Sequence, residues 1–159
     1  MTKEEFEIIY NEHYKLLYKV AYGYVLNKCD AEDIVQDTFV KFYRAHKTFQ
    51  SSDSLKYYLI RMTINQSIDY IRRNKKIVSA NQEDIESLPD EASTKSEKIW
   101  ECVCSLKEKY KTVIILYYYD TYSIKEISSI LKISESSVKM RLSRARSLLK
   151  EKINEGLVR

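Results

Sequence analysis

Two glycines and one proline in 159 residues leave this chain few means of breaking regular backbone. Glycine and proline are the strongest punctuators of local structure, and the one proline, Pro89, stands in a polar, acidic run. With 44% apolar and 31% charged residues, the expectation is an all-α chain with enough apolar side chains for cores. The length admits one domain or two small ones. The formal charge is only +4, so basic character has to come from local clusters.

Composition also narrows the chemistry. The three cysteines, Cys29, Cys102 and Cys104, are odd in number and fit no zinc spacing. No signal peptide or membrane-length apolar run precedes them. They are read as reduced thiols of a cytoplasmic protein. His13 and His46 stand alone, and there is no glycine-rich phosphate loop or nucleophile elbow. The expectation is a non-enzyme without cofactor, metal or small-molecule ligand.

Helical periodicity runs through most of the chain. The first segment, 4–27, carries Phe6, Ile9, Tyr10, Leu17, Val20, Ala21 and Tyr24 at helical spacing. A second, 31–46, is expected to be capped by Asp30 and to bury Ile34, Val35, Thr38, Phe39 and Phe42. Its other face, with Asp33, Gln36, Asp37 and Lys41, is either solvated or a dock for a basic partner. After a polar loop holding Phe49, a third helix spans about 54–74, with Ser52 or Asp53 as cap and Leu55, Tyr58, Leu59, Met62 and Ile68 inward. It interleaves Tyr57, Tyr58 and Tyr70 with Arg61, Arg72 and Arg73. Rings among cations suit single-stranded nucleic acid, although tyrosines packed between helices give the same pattern. Residues 77–95 lose periodicity and read as an acidic linker. They divide the chain into 1–76 and 96–159.

The second half begins with a helix near 95–105, anchored by Ile99, Trp100 and Val103. Another follows from Leu106, with Tyr110, Val113, Ile114, Leu116 and Tyr117 as core. Then two helices meet at a tight turn. Ser123 and Glu126 form a capping box, Ile124, Ile127, Ile130 and Leu131 share one face, Lys132-Ile133 makes the turn, and Ser134 caps the next helix. In that helix Val138, Leu142, Ala145 and Leu149 point inward. At about 100° per residue, Ser136, Met140, Ser143, Arg144 and Ser147 point outward. Lys139, Arg141 and Arg146 flank them. Small and polar side chains edged by cations suit a helix in the DNA major groove. A solvated basic face on a plain helical hairpin has the same composition.

Three separated motifs resemble one family in order and spacing, over about residues 4–153. The run Asp30-Ala-Glu-Asp-Ile-Val-Gln-Asp-Thr-Phe-Val-Lys-Phe-Tyr-Arg44, with Leu55–Asn65 and Asp69–Arg73, resembles region 2 of the extracytoplasmic-function (ECF) sigma factors. These are small alternative sigma subunits of bacterial RNA polymerase. The run Leu106–Val113 with Ser123–Leu148 is similar to region 4. The resemblance implies a promoter-specificity subunit whose partners are core polymerase, promoter DNA and an anti-sigma factor, often membrane-bound. It implies docking on the clamp coiled coil of the polymerase largest subunit through Asp33, Gln36, Asp37, Phe39 and Lys41. It implies capture of the melted −10 strand, with a flipped base, by Phe49, Ser51, Ser52, Tyr58, Arg61 and Asn65. Lys139, Met140, Ser143 and Arg144 match positions that read the −35 element, while Ser136, Ser137, Arg141 and Arg146 hold phosphates. Region 4 is expected to dock on the flap of the second-largest subunit, and the linker to thread near the active-centre cleft.

Five positions depart from the family's pattern. Lys107 stands for proline, Lys132 for the turn glycine and Tyr58 for tryptophan, and Met140 with Ser143 are weak base readers. A non-glycine residue at positive φ costs on the order of 1 kcal/mol. The rival readings are a regulator that binds duplex operators without polymerase and a helical adaptor for acidic partners.

Overall fold

The computed structural model describes residues 1–78 and 95–158, the side chains of 75–78, 95–97 and 156–158 excepted. The predicted linker lies, over 79–94, outside the described residues. Seven α-helices and one π-helical turn make up the described regular structure, with no strand among the described residues. The chain forms two compact units, 1–74 and 75–159.

The first unit holds α1 (Lys3–Val25), α2 (Lys28–Ala45) and α3 (Ser52–Val78). Thr2 and Glu5 cap α1 reciprocally. The expected caps of the next two helices shift toward the N-terminus. Asn27, not Asp30, caps α2: its Oδ1 accepts from the Asp30 N–H at 2.9 Å. Asp30 instead places its charge in the first turn, where the helix dipole favours it. Neither Ser52 nor Asp53 caps α3, because Ser51 Oγ accepts from the Ser54 N–H at 3.1 Å.

The core of this unit comprises Leu17, Val20, Ala21 and Tyr24 from α1, the expected stripe of α2 with Ala31 added, and Leu59, Ile60 and Ile64 from α3. The α3 stripe therefore differs from the expected one. Leu55, Tyr58, Met62 and Ile68 are only half-buried, and Thr63 and Ser67 lie inside. The cause is polar self-satisfaction. Thr63 Oγ1 donates to the Leu59 carbonyl, Ser67 Oγ to that of Thr63, and Thr38 Oγ1 on α2 to that of Ile34, each at 2.8 Å. A hydroxyl bonded back to its own helix can be buried without an orphaned donor.

The second unit holds α4 (Lys95–Cys104), α5 (Glu108–Ile114), the π turn (Ile115–Tyr119), α6 (Ile124–Leu131) and α7 (Glu135–Val158). Helices α4, α5 and α6 all pack on α7. Six consecutive residues, Lys111–Leu116, are buried. The π turn takes in an extra residue per turn, which rotates side chains off the 3.6-residue stripe. Tyr117, expected in the core, accordingly sits at its edge while Ile115 is inside; in α5, Tyr110 also lies at the edge and Thr112 inside. Lys111 is buried as well, and burial lowers the pKa of its ammonium.

Candidate nucleic-acid interface

The helix-turn-helix is assembled as its sequence dictates. Ser123 Oγ accepts from the Glu126 N–H and the Glu126 carboxylate accepts from the Ser123 N–H, both at 3.1 Å. Ile127 and Ile130 are fully buried beneath α6. The helix then ends at Lys132, which holds φ 56° and ψ 46°. In that left-handed state the Lys132 and Ile133 N–H groups both reach the Ser128 carbonyl, closing the helix end as a glycine cap would. Ser128 Oγ donates to the Ile133 carbonyl and locks the turn from the other side. Ser134 Oγ accepts from the Ser137 N–H at 3.1 Å and starts α7.

Helix α7 divides as its periodicity requires. Val138, Leu142 and Ala145 are fully buried and Leu149 is half-buried. Ser136, Lys139, Met140, Ser143 and Arg144 are exposed together, Met140 at 48%. Ser137 and Arg141 are partly covered, and Ser137 is engaged by the Ser134 hydroxyl. Two cations are held from within the unit. Arg146 Nε donates to the Tyr118 hydroxyl at 2.6 Å and lies over the Tyr117 and Tyr118 rings. A hydrogen bond to Arg144 lowers the pKa of the exposed Tyr110 hydroxyl, and the nearby Lys109 ammonium adds to this. Both guanidiniums thus start from defined positions on or beside the outward face, which reduces the ordering cost of any contact they make with a partner.

In the first unit, the loop before α3 is organised by aromatic contacts. The Phe49 ring lies 6.2 Å from Phe42 and 5.1 Å from Tyr58. Lys47 Nζ stands 4.8 Å over the Tyr58 ring and the Arg61 guanidinium 5.8 Å from it. Phe49, Tyr58 and Arg61 therefore form one cluster, and Lys47, which sequence reasoning passed over, belongs to it. Ser51 and Ser52 are exposed beside it, with Ser51 committed to its cap. Asn65 is exposed one to two turns further along α3. Tyr70 is set apart from this cluster. Burial, with a hydrogen bond to the Asp30 carboxylate, pushes its pKa up to about 12, so it ties α3 to the start of α2.

On α2, Asp33, Gln36, Asp37 and Lys41 are exposed. Phe39 is not: it is 1% exposed and packed by the Phe6 and Tyr10 rings. It shapes this face from beneath and does not present to a partner. Val40, at 46%, and Tyr43, at 47%, fill the outward face instead. The signal was available, since both fall among the acidic positions when α2 is projected at about 100° per residue.

An all-helical chain with an aromatic and cationic cluster in one unit and a helix-turn-helix in the other has the makings of a DNA-binding transcription protein. The comparisons make the class specific. Residues 9–77 match the Sigma-70 region 2 model and residues 96–149 the Sigma-70 region 4 model. The chain is 32% identical over 141 residues to the RNA polymerase sigma factor SigV of Bacillus subtilis, covering 87% of this chain and 85% of that protein. It is 31% identical to the ECF sigma factor SigM of the same organism, covering 99% and 98%. Its fold is similar to that of the sigma factor RpoE in a co-crystal structure with the anti-sigma factor NepR from Bartonella quintana. There the TM-score is 0.70 at 23% identity, over 95% of this chain and 98% of that one. A structure of CnrH in complex with the cytosolic domain of CnrY matches at TM-score 0.70 and 22% identity, over 97% and 90%. The chain belongs to the ECF sigma factors of the sigma-70 family and is an alternative sigma factor, a subunit that directs RNA polymerase to promoters.

Proposed function

We propose that this protein works as a bipartite promoter reader, with 1–76 as region 2, 77–95 as linker and 96–159 as region 4. The outward face of α2, comprising Asp33, Gln36, Asp37 and Lys41 with Val40 and Tyr43 added, docks on the clamp coiled coil of core polymerase. Its acidic rim supplies charge complementarity to a basic partner, and its apolar centre supplies buried area. The cluster of Phe49, Tyr58, Arg61 and Lys47, with Ser51, Ser52 and Asn65 beside it, holds the melted −10 strand. Rings stack bases while cations follow the backbone, and the few kcal/mol needed to flip a base are offset there. Helix α7 enters the major groove at the −35 element with Lys139, Met140, Ser143 and Arg144 toward base edges. Ser136, Ser137, Arg141 and Arg146 are placed for phosphates.

The protein contributes binding energy and not covalent chemistry, and it acts in the cytoplasm where polymerase is. Among the described residues no helix is long and apolar enough to cross a membrane. An anti-sigma factor that occludes one or both units is the expected inhibitor, by analogy with the co-crystal of RpoE and the anti-sigma factor NepR, whose fold is similar.

The observation that carries this reading is the presence of both sigma regions in order in one chain. A regulator that binds operators alone has no use for the first. The test is reconstitution with sigma-free core polymerase and in vitro transcription from a promoter library. Start sites sharing paired upstream motifs are the expected result. Failure to join core, with duplex binding retained, would favour the operator-binding regulator.

A further inference from the structure

A cleft of about 620 Å³ opens in the first unit between the first turns of α1, the end of α2 and the loop before α3. That volume falls in the ~300–1,000 Å³ range of ligand sites. Ile8, Ile9, Phe42, Phe49 and Leu55 give it apolar walls. His46 and Lys47 also line it, and Lys47 is fixed over the Tyr58 ring. One acidic residue, Glu5, stands among the lining residues. An acid is out of place in a cleft that receives a polyanion unless it faces something other than phosphate. The carboxylate is also held in place: Glu5 Oε2 accepts from the Thr2 N–H at 2.9 Å, and the Glu5 N–H donates to Thr2 Oγ1 at 3.2 Å. This leaves a preorganised group that only accepts hydrogen bonds.

Resting on the reading of this loop as the holder of the −10 strand, we propose that Glu5 selects the base captured in the cleft. It favours one that carries an exocyclic amino group beside a ring-nitrogen acceptor, cytosine or adenine, over thymine. The cytosine N4 and adenine N6 amino groups donate to a carboxylate, whereas thymine offers carbonyl oxygens on either side of its one ring N–H and repels it. With Oε2 engaged by Thr2, one amino contact is the natural match. The ring-nitrogen acceptor beside that amino group faces the donors of His46 or Lys47. Phe49 supplies the stacking surface.

The alternative role of Glu5 is that of a cap alone, and the two roles separate chemically. Glutamine completes a capping box as well as glutamate does, but it has no net charge and brings an amide donor. Holoenzyme reconstituted with wild-type protein, Glu5→Gln or Phe49→Ala would be assayed for open-complex formation on promoters randomised across the −10 element. The wild type is expected to prefer cytosine or adenine over thymine about tenfold at one position. Glu5→Gln should bring that ratio within about twofold, with other positions and the thermal midpoint unchanged. If Phe49→Ala impairs melting while Glu5→Gln leaves every base preference intact, Glu5 is only a cap and the assignment is overturned. If Phe49→Ala melts promoters as well as wild type, the −10 reading itself fails and takes the assignment with it.

Discussion

Lys132 carries a Cβ through a backbone state that disfavours one. Its φ of 56° is shared by type with Leu26, His46 and Thr121, and no glycine of the described residues has positive φ. The left-handed state costs an L-residue roughly 1–2 kcal/mol, and glycine returns part of that gain by enlarging the unfolded ensemble. Lys132→Gly is therefore expected to stabilise the second unit by about 0.5–1 kcal/mol, read as slower amide hydrogen exchange across α6 and α7 in the full chain. Unchanged protection would mean that the turn is not strained. Tyr70 makes a different prediction. Its hydroxyl is raised from 10.0 to about 12 because the fold favours the protonated phenol. Its contribution to stability is whole below pH 10 and is lost as pH rises toward 12. Tyr70→Phe should remove that part of the alkaline decline, visible when unfolding midpoints are compared between pH 9 and pH 12.

At the scale of elements, α2 shows how two requirements share one helix. Its buried side is a continuous apolar stripe, and its outward side is acidic with Val40 and Tyr43 between the charges. Asp37→Arg combined with Gln36→Ala should abolish core binding in a pull-down while leaving the helical circular dichroism intact. Retained binding would remove the docking role from this face. Phe39→Ala should also weaken binding, but only by unfolding the unit, at about 3–5 kcal/mol. Element positions were legible in the sequence because capping residues and 3.6-residue spacing are local signals. The capping box of α6, the Ser134 cap and the Val138–Leu142–Ala145 stripe of α7 were all read this way, while the left-handed state of Lys132 followed from its standing where the resembling family has glycine. Where several side chains can cap, local chemistry does not choose among them, hence Asn27 and Ser51 in place of Asp30 and Ser52 or Asp53. Buried Thr63 and Ser67 escaped notice because hydropathy counts a hydroxyl as polar whether or not its own helix satisfies it. Of the candidate site, Phe49, Tyr58 and Arg61 were brought together only by the family resemblance, whereas the outward face of α7 could be read from spacing. The place of Lys47 and Glu5 could not, because the fold brings them together from different elements.

For the molecule as a whole, the proposed roles divide the work of promoter selection between the two units. Arg144→Ala is expected to cut transcription from promoters that need a −35 element by about tenfold, with core affinity unchanged in a binding titration. Equal loss on every promoter would point to a structural role for Arg144. Effects in the two units should combine additively within about 0.5 kcal/mol when their sites are far apart and share no partner.

The π turn at Ile115–Tyr119 bears on how this chain can change in length. Geometrically it is an α-helix that has taken in one extra residue. Elsewhere in a helix, losing one residue would swing everything downstream by about 100° and bring a packed stripe out to solvent. Within 115–119 the same deletion turns a π turn back into an α turn at the end of its helix, and because 120–123 are not helical it passes no helical rotation on to α6 and α7. This short tyrosine-rich stretch is thus a site where a one-codon deletion could pass through evolution without unmaking α7 beyond it.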